Sequence, residues 1–229
     1  MAMEAMALDP KYAIPYTTLA WSHMMDVFMQ STESTQESMK LAAAASKKAL
    51  EIDGSHPQVH KVLSNLYIMQ GESDKAIASA KRAVELSPGD SLSFANLGLC
   101  LMFACKPNEA IPMYEKALRR NPFSDFTHHR NLAWVYLMVG RYDDAIEELQ
   151  KAVQKNPSNY HIYYNLVLAY TKLGRNEKAR AAAAELLEIY PKFSLDWWAK
   201  TAVKMYAKEC QSAIHNDIEF LRKSDVGLK

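Results

Sequence analysis

Residues 59–88 read VHKVLSNLYIMQGESDKAIASAKRAVELSP, and this stretch decides the fold. Val59, Val62, Leu63, Leu66 and Tyr67 stand three and four apart, a spacing that gathers apolar side chains on one face of a helix. Gly71 follows as a left-handed residue that ends it. Ser73 or Asp74 is expected to cap a second helix through Ala76, Ile77, Ala80 and Ala83 to Leu86, and Pro88 forbids its continuation. The product is a helical hairpin. Its alanines have a physical reason: two helices cross closely only where side chains lack bulk.

The same pattern recurs outward from this stretch. Ser87-Pro88, Asn121-Pro122, Asn156-Pro157 and Tyr190-Pro191 put prolines 34, 35 and 34 residues apart, and Gly54 lies 34 before Pro88 in the same column. Ala76, Ala110, Ala145 and Ala179 keep step, as do Ala83, Ala117 and Ala152. So do Tyr67, Leu101, Tyr136 and Tyr170, and so do Gly71, Cys105, Gly140 and Gly174. Columns held in phase mark an internal repeat. Cys105 stands where the other units have glycine, at a cost to that unit. Pro107 and Asn108 suit a helix start, while Pro112 lies near the limit of the tolerant first turn and predicts a slight irregularity.

Composition narrows the class. A hydrophobic share of 49% with 23% charged residues is a globular balance, and 7 Gly with 9 Pro are too few to punctuate a many-stranded β protein. Twenty-seven Lys and Arg against 26 Asp and Glu leave +1, so no global field draws in nucleic acid or an anionic membrane. Three cysteines without C-x-x-C spacing point away from a disulfide framework or a zinc ribbon. The charge-free run Ser91 to Cys105 is shorter than the ~18 residues of a spanning helix, and no secretory signal is visible after Met1. A cytoplasmic, helical protein is expected.

A 34-residue helix–turn–helix unit carrying Leu97-Gly98, Tyr136, Gly140, Ala145, Ala152 and Pro157 resembles the tetratricopeptide repeat. The resemblance implies an all-α fold: a right-handed superhelical solenoid of about five units with a C-terminal helical cap. The units fall at about 13–56, 57–90, 91–124, 125–159 and 160–193. The first carries roughly ten extra residues around Met29–Glu37, expected to lengthen its inter-helix loop. Residues 1–12 read as the remnant of a preceding repeat helix, so the chain is expected to be a fragment of a longer protein. Residues 194–229 read as a solvated cap, with helices at Leu195–Lys208 and Ala213–Lys223. Pro191-Lys-Phe-Ser-Leu, Asp217-Ile-Glu-Phe-Leu-Arg-Lys and Gly227-Leu228, with Asn121-Pro-Phe, resemble a bacterial subset. In that subset such arrays follow a class III nucleotide cyclase domain or a winged-helix regulator; this tail departs from it over Val203–Gln211.

Catalytic constellations are absent from the sequence: no phosphate loop, no H-E-x-x-H, no G-x-S-x-G. His128 and His129 point about 100° apart on a helix and do not chelate one ion; one is expected in an interface and one in solvent. Cys100 and Cys105 read as packing residues, and Cys210 as an exposed thiol with nothing to activate it. Of Trp197 and Trp198, one is expected to seal the last repeat and the other to lie on the surface. No cofactor and no metal site is expected, and the chain is not read as an enzyme.

Stacked helical pairs present their first helices on a concave face. There the columns hold no acid but three cations, Lys61, Arg130 and Lys172, predicting a positive and apolar groove. Asn96, Asn131 and Asn165 form a column whose amides pair with an extended peptide backbone, or else bond a neighbouring helix. Such asparagine ladders occur in the family. Lys61, Asn65, Asn96 and Arg130 resemble four parts of its carboxylate clamp, with Phe126 and Thr127 standing where the fifth, a Lys, belongs. Met102, Phe103, Trp134, Met138 and Tyr164 are the candidate apolar anchors, or else fill the packing between repeats. The expected function is a non-catalytic scaffold that binds an apolar, somewhat acidic peptide or protein segment, with self-association allowed and no nucleic-acid or membrane partner. The alternative is the regulatory or dimerising arm of a multidomain bacterial signalling protein.

Overall fold

The computed structural model describes residues 2–29, 31–201 and 203–228. Met1 of the remnant helix, Gln30 of the polar loop, and Ala202 and Lys229 of the closing segment lie outside the described residues. Among the described residues there is no strand. The helices are α1 (Ala2–Leu8), α2 (Ile14–Phe28), α3 (Thr35–Ile52), α4 (Pro57–Met69), α5 (Ser73–Leu86), α6 (Ser91–Phe103) and α7 (Pro107–Arg120). They continue with α8 (Phe126–Met138), α9 (Tyr142–Lys155), α10 (Tyr160–Lys172), α11 (Asn176–Ile189), α12 (Leu195–Thr201), a 3-10 turn at Val203–Met205, and α13 (Lys208–Lys223). The fold is all-α and built of consecutive packed helix pairs.

The chain divides into two compact units, residues 1–100 and 101–229, and the division falls inside α6. In the first unit α1 rests on α2, and the hairpins α2–α3 and α4–α5 meet through α4. Its cores gather Ala20, Met24, Ala42, Val62 and Leu66, and then Ala13, Ala49, Val59 and Leu63. In the second unit the hairpins are α8–α9 and α10–α11, with α7 packed on α8, α9 on α10 and α13 on α10.

Three local devices build the hairpins from α4 onward, and the α2–α3 hairpin shares the first of them. Ala42, Ala49, Ala76, Ala83, Ala110, Ala117, Ala145, Ala152 and Ala179 are all fully buried, so each second helix presents a face without bulk to its neighbours. Each first helix from α4 onward ends in a left-handed residue: Gly71 at φ +74°, Cys105 at +59°, Gly140 at +78° and Gly174 at +68°. The next N–H then closes on the carbonyl five residues back, Glu72 on Tyr67 at 2.8 Å, with Lys106 on Leu101, Arg141 on Tyr136 and Arg175 on Tyr170 each at 2.9 Å. A cysteine held at positive φ costs roughly 1–2 kcal/mol where glycine costs little. Second helices stop because the residue before proline is pushed out of helical geometry, to ψ 74° at Ser87, 84° at Asn121, 87° at Asn156 and 81° at Tyr190.

Local departures from expectation have local causes. Helix α5 begins with Glu72 as the N-cap and no side-chain hydrogen bond, and Asp74 sits in the first turn instead, beside the free N–H groups. Helix α7 runs through Pro112 without stopping. The extra residues of the first repeat go partly into helix length: α2 and α3 have 15 and 18 residues, against 13 and 14 in α4 and α5. Among the described residues no helix is long and apolar enough to cross a membrane.

The crossing constraint is testable. Ala152→Leu inserts three heavy atoms where nothing larger than a methyl fits and is expected to cost about 1–3 kcal/mol. Ala78→Leu, exposed on α5, is expected to stay within ~0.5 kcal/mol. Thermal melts followed by circular dichroism compare the two; equal losses would remove close crossing as the reason for the alanine columns.

Candidate functional site

In the first unit the candidate groups are satisfied from within. Lys61 Nζ donates to Asp90 Oδ2 at 2.9 Å, with both side chains mostly covered. Burial alone would raise the Asp90 carboxyl, but the Lys61 ammonium and the Ser93 hydroxyl outweigh it and hold it below the usual range. The same carboxylate accepts from the Leu92 and Ser93 N–H groups and so caps α6. Asn65 donates from Nδ2 to its own helix at Lys61 O, 2.9 Å away. Asn96 is buried, accepts from Ser64 Oγ at 2.7 Å and donates to Asn65 Oδ1 at 3.4 Å.

In the second unit Asn131 and Asn165 are buried as well. Asn131 Oδ1 accepts from Arg130 Nε at 3.3 Å and from its terminal nitrogen at 2.9 Å. Among the described residues no carboxylate lies within ion-pair distance of Arg130, whose pKa is lowered by burial; Tyr114, Tyr206 and Asp125 act against that shift. Met102 and Trp134 are buried, Tyr164 completely so, while Phe103 and Met138 are half-buried.

What covers these anchors is the chain's own closing segment. The Tyr206 ring centroid lies 4.7 Å from Phe103 and 6.3 Å from Trp134, and the Ala207 N–H donates to Phe103 O at 2.8 Å. Trp134 faces Tyr164 at 6.4 Å, and Tyr164 faces Trp198 at 4.7 Å. Lys172 pairs with Asp217 at 2.6 Å and lies 4.4 Å from the Phe220 ring centroid. Burial pushes the Tyr206 hydroxyl well above its usual range, against the pull of the Arg130 charge. The expected positive groove is therefore corrected: Lys61 and Lys172 each have an intramolecular carboxylate, and Arg130 alone among the three has none.

The closing segment also differs from the expected solvated cap. Helix α12 ends at Thr201, the chain turns inward through the buried Val203, and α13 starts at Lys208, five residues before the expected second helix. Cys210 is bonded to Cys105 across 105 residues, which corrects its reading as an exposed thiol and that of Cys105 as a packing residue. Sequence spacing carries no signal for a pair brought together only by the fold. Cys100 stays a buried free thiol, pushed up to about 12 by burial. Trp197 and Trp198 both pack on aromatic neighbours, Trp197 at 5.8 Å from Tyr190 and Trp198 at 5.3 Å from His161, so neither is the surface tryptophan expected. His129 is buried with Nδ1 2.7 Å from Glu148 Oε2, and His128 is partly buried instead of solvated. Among the described residues no group of three His, Cys, Asp or Glu side chains is placed to hold a metal ion.

Comparison with known proteins agrees with this architecture. Tetratricopeptide repeat models match residues 62–90, 90–158 and 136–203. The chain is a tetratricopeptide repeat protein. It is 24% identical over 191 residues to Superkiller protein 3 of Schizosaccharomyces pombe, covering 80% of this chain and 13% of that protein. It is 31% identical over 74 residues to the Hsp70-Hsp90 organizing protein of Triticum aestivum, covering 32% of this chain and 13% of that one. The chain thus spans about an eighth of the length of these two relatives. Among solved structures, the type IV pilus biogenesis factor PilW superposes with a TM-score of 0.71 at 17% identity, over 93% of this chain and 90% of PilW.

His161 gives the aromatic face an acid sensitivity. Its ring stacks on Tyr160 at 4.1 Å, and burial, aided by Arg130, lowers its pKa to about 3. Above pH 6.5 both folded and unfolded chains keep this imidazole neutral, so nothing is lost. Below it the unfolded chain takes up a proton that the folded chain refuses, and stability falls as pH drops toward 3. The expected loss from this group is roughly 2 kcal/mol at pH 5 relative to pH 7.5. His128, also lowered by burial, acts in the same sense. In urea titrations at both pH values, His161→Phe is expected to remove most of the difference; an unchanged difference would place the acid sensitivity elsewhere.

Proposed function

We propose that this chain is a non-catalytic protein-binding module, and that its second unit accepts an extended apolar segment of a partner carrying an acidic group. The observation that supports the reading is the seat of Tyr206 and Ala207: an aromatic ring between Phe103 and Trp134, and a backbone N–H on the Phe103 carbonyl. Asp217 on Lys172 adds the acidic partner for the free end of α10. A partner segment of the same chemistry would use the same groups. The asparagine column enters as packing, since Asn96 and Asn131 spend their amides inside the chain.

Magnitudes set what the partner must bring. Burying one large aromatic side chain yields about 1.5–3 kcal/mol, and a ring pair adds about 0.5–1.5 kcal/mol. Association costs about 4–15 kcal/mol. A tethered tail avoids most of that cost because its end is already held nearby. A free partner needs several anchors, and Trp134, Phe103, Met138 and Tyr164 offer them.

A labelled peptide of residues 203–217 with Cys210→Ser serves as the probe. Fluorescence anisotropy follows its binding to the full chain carrying Tyr206→Ala and Cys210→Ser, in which the resident segment is weakened. Adding Trp134→Ala or Lys172→Glu is expected to weaken binding about tenfold or more, the loss of roughly 1.4 kcal/mol. Lys172→Glu is the cleaner variant because Lys172 is only partly covered. Binding indifferent to both substitutions would sink the reading.

A second reading is the regulatory or dimerising arm of a multidomain signalling protein, in the cytoplasm. It is supported by the lengths of the relatives, in which arrays like this one are a small part, and by the tail resemblance to cyclase and winged-helix regulators. Sedimentation of the chain as a dimer at micromolar concentration would favour it, and a monomer would count against the dimerising form.

A further inference from the structure

We propose that residues 203–217 are a plug on the protein-binding face of the second unit, and that the Cys105–Cys210 disulfide latches it, so that a dithiol reductant opens the face. The proposal rests on the reading of that face as the partner site. It joins three observations that the binding function alone leaves unexplained.

The first is occupancy. Tyr206, Ala207 and Asp217 take the aromatic seat, the free backbone carbonyl and the cation that a partner would need. With the segment in place Trp134, which the Tyr206 ring contacts, is only 6% exposed.

The second is the position of the latch. Cys105 follows Phe103 by two residues and Cys210 follows Tyr206 by four, so the bond clamps the segment beside its ring contact. Besides the bond, the segment is held by the Ala207 backbone hydrogen bond, the Tyr206 ring contacts, the buried Val203 and Ile214, and an ion pair whose groups are 23% and 29% exposed. With the bond, the segment is pinned both through α12 and at Cys210.

The third is the residue at the turn. The other units have glycine at this left-handed position, at φ +68° to +78°, whereas here a cysteine adopts +59°. A packing role gives no reason for cysteine over glycine there; a covalent partner does.

The reaction balances with a dithiol as the reductant. One of its thiolates attacks Cys105 Sγ, the half-buried and more accessible end, and the S–S bond breaks with Cys210 leaving as a thiolate that takes up a proton. The second thiol of the reductant then attacks the mixed disulfide and releases Cys105. Two electrons and two protons pass to the protein, and the reductant becomes a cyclic disulfide. Cys100 does not interfere, because burial keeps its thiol protonated at neutral pH. In a reducing compartment a lone bond of this kind acts as a sensor, not a permanent staple.

The test uses the full chain and the residue 203–217 peptide with Cys210→Ser. The oxidised wild type is expected to bind it at least tenfold more weakly than the chain reduced with dithiothreitol. Cys105→Gly, which restores the residue the turn prefers, is expected to bind tightly with or without reductant. Hydrogen exchange on the same samples is expected to show the Lys204–Gln211 amides losing protection on reduction while those of α8 and α10 keep theirs. Equal affinity of oxidised and reduced wild type, with tight binding by the Tyr206→Ala, Cys210→Ser chain, would overturn the latch and leave the binding face standing. Loss of protection across α8 and α10 as well would make the bond a structural staple and also overturn it. No binding by the Tyr206→Ala, Cys210→Ser chain overturns the binding face and the latch together.

Discussion

Two helices approach to the distance of a methyl contact only where neither carries anything larger, and the rest of this structure follows from that constraint. The fully buried alanines of α3, α5, α7, α9 and α11 commit one face of every second helix to close crossing. Bulk is then displaced to the first helices, where α8 carries Trp134 and Tyr136, α10 carries Tyr163 and Tyr164, and Trp134 meets Tyr164 at 6.4 Å. An aromatic face on α8 and α10 is the consequence, and such a face must be covered by something. In the second unit the chain covers it with its own closing segment.

The hairpins were legible because their causes are local. A left-handed turn at Gly71, Gly140 and Gly174, a proline after each second helix and a column of alanines all act within a few residues of where they are read. The face each side chain takes was less legible, because neighbours on a helix differ by only 100°. Asn131 is buried, and Arg130 beside it is partly covered and turns its guanidinium back onto the Asn131 oxygen, a pairing between neighbours that spacing does not reveal. Pairings across the chain could not be read from spacing. Asp90 reaches Lys61 over 29 residues, and Cys105 reaches Cys210 over 105. Two signals did point there: a cysteine in a glycine column, and a tail that leaves its family pattern over the very residues, Val203–Gln211, that turn inward.

Charge follows the same logic. Two of the three cations at the inner columns, Lys61 and Lys172, take carboxylates from elsewhere in the chain. Lys61 and Asp90 form a mostly covered pair that also caps α6, so displacing Asp90 would uncap a helix. Lys172, the last residue of α10, and Asp217 form a slightly more exposed pair, and Asp217 is no N-cap. Under the proposed function, an acidic partner would displace Asp217 without uncapping a helix, whereas displacing Asp90 would uncap α6. That asymmetry favours α10 over α4 as the place where charge selects a partner.

The cysteine at position 105 brings these arguments to one residue. The turn after α6 needs a left-handed residue, and glycine meets that need at least cost. Cysteine there weakens the turn, yet its side chain leaves the backbone close to the Phe103 carbonyl on which Ala207 docks. No other turn offers this combination, because Gly71, Gly140 and Gly174 have no side chain to form a bond. A latch built anywhere else would hold the tail farther from the ring of Tyr206 and leave the aromatic seat free to breathe. The one non-glycine residue at positive φ among the described residues is thus also the one covalently tied to the segment whose Tyr206 covers Phe103 and Trp134.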